Sequence, residues 1–428
     1  MAKVAVFTLG CKVNQAESEE LRLLLAEAGH EVVEDPALAD LCVVNTCTVT
    51  AESDRKSRKL LRRLWREGAE RIVAAGCYAE IEPETVGRSP GVVAVLPNAR
   101  KRGWAEEIIA LLPPAGDAGV GRTRPTRRTR GFVKVQDGCE RGCSYCIVPR
   151  ARGEEVSVPP RSVVEMVARW RVRGCEEVVL CGVNLGRYGH GPGYDLASLV
   201  REVLGSGEGF RLRLSSLELE DLRPRWVREW SAMPRLCPHL HLPLQSGDEG
   251  ILRDMGRGYT PEDFLEAAGE MRRAWPALAI TTEVMVGYPG EGEAAFENTV
   301  RTLERLRPAR VHVFRFSPRP GTKAWDRGDA VEPAEAERRS AALRALAERW
   351  RRSYVEERRG QGRGLLVERI TCGRDGRTAW GTTEDYIKGA LREPPPEAEA
   401  GKIIPVEIAG LWKGVALMRP LPREDGSV

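Results

Sequence analysis

No run of about 18 apolar residues occurs anywhere in this chain, so no segment of it reads as a membrane-spanning helix. The first apolar run, Val4 to Leu9, is too short for the core of a secretion signal and leads straight into Cys11. Histidine is scarce, at five residues, and the formal net charge is only +4. There is no internal repeat and no heptad seam, which excludes solenoid and coiled-coil architectures. Cysteine is present in odd number, 11, without an export signal, so the thiols are expected reduced in a cytoplasmic setting and a disulfide framework is disfavoured. What remains, 42% hydrophobic and 30% charged over 428 residues, is ordinary for globular protein. A chain of that length predicts about two to four domains.

The most informative stretch is Asp137-Gly138-Cys139-Glu140-Arg141-Gly142-Cys143-Ser144-Tyr145-Cys146, a C-x3-C-x2-C array. Three close thiolates suit a cubane iron-sulfur cluster, and they leave its fourth iron open to a small molecule. Zinc is the main competitor, but structural zinc closes with four Cys or His ligands. The nearest histidine to the array is His190.

The leading segment alternates strand and helix patterns. Val4 to Thr8, Leu41 to Asn45, Arg71 to Ala75 and Val92 to Leu96 read as strands; Gln15 to Ala28, Asp54 to Trp65 and Trp104 to Leu112 read as helices. A βαβ series of this kind predicts a doubly wound parallel sheet, whose strands share one carboxyl edge where ligands bind. Cys11, Cys47 and Cys77 each follow a predicted strand. They are therefore expected on that one edge, placed for a second three-thiol cluster. The alternative is three reduced cysteines at strand ends, of the kind Cys42 represents.

Residues 113–130, rich in Pro, Gly, Thr and Arg, read as a linker between a unit at 1–112 and one at 131–360. In the second unit, strand patterns recur at Phe132 to Gln136, Glu177 to Cys181, Arg211 to Ser215, His239 to Leu244, Ile280 to Val286 and Arg310 to Phe314. Six strands alternating with helices predict an open β/α barrel with active groups at the strand ends. The three-Cys array follows the first of these strands. Turns carrying Gly182, Asn184, Ser216 and Glu218 fall after later ones and suit a nucleoside-bearing cofactor, although each alone is ordinary turn chemistry. Glu332 to Arg359 reads as one long helix. Beyond it, short strand patterns at Gly364 to Ile370, Thr378 to Thr383, Tyr386 to Ala390 and Lys402 to Ala416 predict a small β-barrel at 361–420.

Charge is clustered more than its sum suggests. From Arg55 to Arg66 the sequence carries seven positive and no negative side chains, with Leu60, Leu61 and Leu64 on the other helix face. From Arg122 to Arg130 there are five Arg among Thr and Pro. A solvated helix face and a charged linker account for both. Their position on either side of the thiol-bearing units favours an RNA partner, since guanidinium grips phosphate and stacks on bases.

With these features in hand, the chain resembles the radical S-adenosylmethionine methylthiotransferases from about residue 3 to about residue 420. The matching stretches are TLGCKVNQAES, VVNTCTVTAESDRKSRKLLR, AAGCYAE, KVQDGCERGCSYCIVPRARG, GVNLGRYG, LRLSSLELE, HLHLPLQSG and VMVGYPGE. The LGCKVNQ and NTCTVT wording is similar to the branch acting on threonylcarbamoyladenosine in the tRNA anticodon stem-loop. The resemblance implies that Cys139, Cys143 and Cys146 ligate a 4Fe-4S cluster whose open iron takes S-adenosyl-L-methionine. It implies that Cys11, Cys47 and Cys77 hold an auxiliary 4Fe-4S cluster presenting sulfur, and that a deoxyadenosyl radical removes hydrogen from carbon two of the adenine. No acid-base residue is expected to make that bond, because an aromatic C–H is far too weak an acid. Tyr145 is implied as a shield of the cluster, with Gly182, Asn184, Ser216 and Glu218 contacting the cofactor. An electron donor, a sulfur source and a TRAM-like RNA-binding barrel at the carboxyl end follow from the same resemblance, and no membrane partner does.

Two departures stand out. Val156-Ser157-Val158 occupies the place of a usual Arg-Ser-Arg run, and Glu283 the place of a usual Asp. The alternatives are the same chemistry on isopentenyladenosine in tRNA or on a ribosomal-protein aspartate, and, from another class, a non-catalytic iron-sulfur RNA-binding protein.

Overall fold

The computed structural model describes residues 1–114, 129–189, 193–373 and 376–421. Most of the linker expected at 113–130, the Arg residues of 122–128 and His190 lie outside the described residues. Strands β1 (Lys3–Thr8), β2 (Glu31–Val33), β3 (Leu41–Thr46), β4 (Ile72–Gly76) and β5 (Val92–Pro97) form one parallel sheet in the order β2-β1-β3-β4-β5. Every residue of β3 and β4 is buried, which explains why they read as continuous apolar runs without alternation. Helices α1 (Lys12–Glu27), α2 (Ala51–Arg66) and α3 (Cys77–Ile81) follow β1, β3 and β4. The Thr50 side chain caps α2 by accepting from the Ser53 amide, while Leu61 and Leu64 bury its apolar side. Strand β2 escapes the sequence reading because three residues carry no usable period.

The central unit contains β6 (Gly131–Lys134), the short antiparallel pair β7 (Gln136–Asp137) and β8 (Val156–Ser157), then β9 (Glu177–Cys181), β10 (Arg211–Leu214), β11 (His239–His241), β12 (Ala279–Val286) and β13 (Arg310–Arg315). Two parallel halves, β10-β9-β6 and β11-β12-β13, are joined through bridges at Leu212/Leu236 and Ser216/His241. This is the expected open six-stranded barrel. Its strands alternate strictly. Val133, Val178, Leu180, Leu212, Leu214, Leu240, Ile280 and Val284 pack outward with helix residues such as Val167, Trp170 and Trp230. Glu177, Arg211, Arg213, His239, His241, Thr281, Glu283 and His312 occupy the opposite, concave face.

The carboxyl end is a closed barrel of β14 (Gly362–Gly373), β15 (Gly376–Thr382), β16 (Lys388–Arg392), β17 (Ile403–Trp412) and β18 (Val415–Pro420), in the order β14-β15-β16-β18-β17. The single run expected over Lys402 to Ala416 is a hairpin. Lys413 (φ 46) and Gly414 (φ 79) are both left-handed, the geometry of a two-residue turn matching strand twist, and Lys413 gives no sequence signal for it. The strand expected from Tyr386 starts at Lys388, because Tyr386 itself has φ 68 and stacks on His239.

That stacking lies in a buried ionic floor between the two barrels. Glu177 accepts from Arg211 at 2.7 Å and Arg213 at 2.9 Å and also pairs with Arg130. Arg211 and Arg213 continue to the carbonyls of Gly364, Thr382, Thr383 and Glu384. Burial opposes the charge of Glu177, yet the three guanidiniums hold its carboxyl well below the ordinary value of 4.5. A carboxyl depressed in the folded state stabilises fully above its unfolded value and loses that contribution as pH falls toward the native one. The stability difference between wild type and Glu177→Gln is therefore expected to be constant above pH 4.5 and to shrink below it by up to about 1.4 kcal/mol per pH unit. Chemical denaturation of both proteins across that range measures it; a pH-independent difference would contradict the assignment.

Candidate metal centres where the leading sheet meets the central barrel

Cys11, Cys47 and Cys77 leave three adjacent strands of the first sheet. Cys11 is the residue before α1, Cys47 follows β3, and Cys77 opens α3 after β4. The register Thr46↔Gly76 sets Cys47 and Cys77 side by side one residue further on. Gly10 has φ +99, and a Cβ there would stand 2.8 Å from the Cβ and 3.0 Å from the Sγ of Cys47. Only glycine allows the Cys11 loop to approach the Cys47 thiol this closely. Two asparagines attend the set: Asn98 Nδ2 donates to Cys77 Sγ at 3.3 Å, and Cys11 Sγ donates to Asn14 Oδ1 at 3.2 Å. Burial pushes the Cys77 thiol up to about 11 and raises Cys47, so as bare thiols both are neutral at physiological pH.

The second set sits on a loop pinned by the β7/β8 pair. Gly138, with φ +73, faces the Glu154 carbonyl so closely that a Cβ would lie 1.7 Å from it. The Cys139 amide donates to the Gly153 carbonyl at 3.1 Å, and the Cys146 amide closes a turn onto the Cys143 carbonyl at 3.1 Å. Arg257 reaches Cys143 Sγ at 3.7 Å. Burial raises the Cys139 thiol and pushes Cys146 up to about 12. Tyr145 packs beside Met255 and Tyr288, its phenol raised well above the usual range by burial between Arg257 and the neighbouring thiols.

Both sets offer three sulfurs on glycine-shaped loops with basic or amide donors nearby, which fits thiolate ligation of a polynuclear cluster. Among the described residues, no three His, Cys, Asp or Glu side chains close around a single metal ion. Cys42, Cys181 and Cys237 are buried and Cys372 is exposed; of these, Cys181 touches the carbonyl of Lys12 beside Cys11, at 3.7 Å.

The four other expected contacts follow β9 and β10, and of these Glu218 is linked to Cys143 through Arg257. Gly182 lies against Gln136, where a Cβ would come within 2.9 Å of Oε1. That Oε1 accepts from the Asn184 amide at 2.8 Å, and Gln136 Nε2 donates to the Asp137 and Gly138 carbonyls at 3.0 and 2.9 Å. Asn184 Nδ2 donates to Asp221 at 3.0 Å, whereas its buried Oδ1 has no partner among the described residues. Glu218 pairs with Arg257 at 2.7 Å, and burial still raises its carboxyl. Ser216 bridges His241 through the backbone. Val156 and Ser157 pair with Asp137 and Gln136, so that departure forms part of the loop's support.

Gln136, Asn98, Arg152 and Arg257 were missed by sequence reasoning. Each is a single polar residue with a partner from a distant segment, and of the four only Gln136 and Arg152 stood inside a quoted motif. Arg152 is the most consequential. Its side chain is 2% exposed and donates to Glu17 at 3.0 Å, Asp137 at 2.8 Å and Asn14 at 2.7 Å. Glu17 and Asn14 belong to α1 behind Cys11, and Asp137 leads into Cys139. One guanidinium thus ties the two thiol-bearing edges together.

Residues 3–97 match the Uncharacterized protein family UPF0004, and residues 133–303 match the Radical SAM superfamily. The threonylcarbamoyladenosine tRNA methylthiotransferase of Thermotoga maritima is 36% identical over 382 residues, 86% of this chain and 87% of that protein. Its namesake in Bacillus subtilis is 32% identical over 95% of this chain and 94% of its own length. The tRNA-2-methylthio-N(6)-dimethylallyladenosine synthase of Pelobacter propionicus is 33% identical over 86% of this chain and 88% of its own. Among solved structures, a radical S-adenosylmethionine methyltransferase from Kitasatospora setae superposes with a TM-score of 0.57 at 17% identity, covering 76% of this chain and 75% of that one, a likeness of fold.

Proposed function

The chain belongs to the radical S-adenosylmethionine methylthiotransferases, and we propose that it adds a methylthio group to carbon two of threonylcarbamoyladenosine beside the tRNA anticodon. The observation that carries this reading is the juxtaposition, through Arg152, of two separate three-thiol edges, each short of one ligand for a cubane cluster. In this reading Cys139, Cys143 and Cys146 hold the 4Fe-4S cluster that takes S-adenosyl-L-methionine, and Cys11, Cys47 and Cys77 hold the auxiliary one. When bound, these groups supply a deoxyadenosyl radical and the sulfur to be transferred. The chain's own residues position and exclude water. Tyr145 closes one side of the first cluster; Arg257 sets its positive charge against Cys143. Gly182, Asn184, Ser216 and Glu218 receive the cofactor's nucleoside and amino-acid ends, with the unpartnered Asn184 Oδ1 free to accept a hydrogen bond.

The division into 1–112, a linker at 113–130, 131–360 and a TRAM-like barrel at 361–420 is part of the same proposal. For tRNA, the exposed face of α2 offers Lys59 and Arg62 next to a half-exposed Trp65, whereas Arg55 and Lys56 are engaged by Glu52. Phosphate grip plus a stacking indole is the chemistry that single-stranded loops require. An electron donor and a sulfur source complete the requirements, in the cytoplasm. Among the described residues no helix is long and apolar enough to cross a membrane.

Mass spectrometry of tRNA nucleosides from a strain deleted for this protein tests the reading. Threonylcarbamoyladenosine without its methylthio group is the expected outcome, restored by the intact gene. Loss of the methylthio group from dimethylallyladenosine instead would move the substrate to the other tRNA branch.

A further inference from the structure

The concave face of the central barrel holds polar side chains that neither thiol set uses. On β12, Glu283 Oε1 accepts from Gln245 Nε2 at 2.8 Å, and Oε2 stands 3.4 Å from His241 Nε2. Burial works against its charge, yet His241 and Gln245 hold the carboxyl below its ordinary range, so it is an anion. Gln245 reaches this position with φ 68, its backbone bonded on both sides to β12, the amide donating to the Glu283 carbonyl at 2.9 Å and the carbonyl accepting from the Met285 amide at 2.8 Å. His312 meets His241 edge-on at 5.7 Å, and burial beside Arg310 lowers it to about 4, leaving it neutral. At the end of β9 the same barrel meets a residue of the leading unit: Lys12, next to Cys11, with its carbonyl 3.7 Å from Cys181 Sγ. Lys12 is half-buried there, and it makes no ion pair among the described residues.

A cation lacking an anion thus stands at the end of β9, next to Cys11, and an anion already furnished with donors lies on the concave face of the same barrel. The N6 substituent of threonylcarbamoyladenosine has a carboxylate and a hydroxyl. A dimethylallyl group has neither and would leave Lys12 half-buried and unpaired. We propose that Lys12 pairs with the carboxylate of the threonylcarbamoyl group and that Glu283, oriented by Gln245 and His241, accepts a hydrogen bond from its hydroxyl. This rests on threonylcarbamoyladenosine being the target, and it assigns the residues that select it.

The test is anaerobic binding of cluster-loaded protein to short anticodon stem-loop RNAs carrying the threonylcarbamoyl group, its neutral methyl ester, or unmodified adenosine. Wild type is expected to bind the acid about tenfold to a hundredfold more tightly than the ester, the range for a charge-assisted contact. Lys12→Met is expected to bring that ratio to about one, and Lys12→Arg to keep most of it. Glu283→Ala is expected to erase the preference for the threonyl over a glycyl side chain on the same linkage. Equal wild-type binding of acid and ester, or a ratio undiminished in Lys12→Met, overturns the inference. The ester comparison needs no variant, and iron content shows whether each variant has folded. Failure of the wild type to methylthiolate the threonylcarbamoyl RNA would instead refute the function proposed above, whatever the ratios.

Discussion

Cys143→Ala is expected to lose about half of the roughly eight irons that two cubane clusters contain, together with all reductive cleavage of S-adenosyl-L-methionine. Cys143 is the middle thiol of its array and the one Arg257 approaches, at 3.7 Å. Without it two sulfurs remain to hold four irons, too few to bind the cube or to keep one iron selectively open. Burial also keeps the remaining Cys146 thiol protonated, at about 12, unless iron replaces the proton. The complementary Cys77→Ala is expected to lose the other half of the iron while still forming deoxyadenosine. Cys181→Ala, altering a buried thiol outside both sets, is expected to retain all of it. Iron assay, electron paramagnetic resonance of the reduced proteins and chromatography of deoxyadenosine decide the matter. Undiminished iron in Cys143→Ala, or equal loss in Cys181→Ala, would remove the basis for both assignments.

Why these thiols could be found by reading the chain, and other residues of the site could not, comes down to the range of the signal. The C-x3-C-x2-C array is local, and Cys11, Cys47 and Cys77 each follow an apolar run, so the shared edge of a parallel sheet does the rest. The alternation Arg-Leu-Arg-Leu at 211–214 and His-Leu-His-Leu at 239–242 was equally local, but its meaning depends on which face closes. In the folded chain the Leu side packs on helices, and the charged side becomes the floor beneath the carboxyl-terminal barrel and the lining beside the thiols. Arg257 lies 114 residues from Cys143, and Asn98 lies 21 from Cys77 and 53 from the Ala151 carbonyl. No periodicity or spacing rule spans such distances. The hairpin at Lys413–Gly414 was hidden for another reason: lysine in the left-handed region is tolerated there only because strand pairing on both sides dictates the turn.

Arg152→Met is expected to destabilise the junction between the first sheet and the central barrel by about 3–5 kcal/mol, the usual cost of removing one partner from a buried ion pair. The substitution preserves much of the side-chain volume, so the loss is electrostatic. Glu17 and Asp137 are both nearly inaccessible, with side chains 4% and 7% exposed, and would share only Lys134 and Lys101. In the wild type both carboxyls are held below their ordinary values, burial opposing and Lys134 and Arg152 prevailing, so the substitution removes one of the cations that offset their burial. The functional effect follows from where the bonds lead. Asn14, a partner of Cys11, loses its contact at 2.7 Å, and Asp137, whose Oδ1 also accepts the Gly138 amide at 2.9 Å, loses one of the ties that fix the Cys139 loop. The two thiol edges then keep their own ligands but not their mutual position. Deoxyadenosine formation is therefore expected to continue while methylthiolated nucleoside per deoxyadenosine falls at least tenfold, since misplacement by about 1 Å costs around a hundredfold in rate. Arg152→Lys restores charge without the bidentate fork and is expected to recover part of the stability and little of the coupling. Calorimetric unfolding together with the product-to-deoxyadenosine ratio tests both halves, and a variant matching wild type in each would show that the guanidinium does not register one edge against the other.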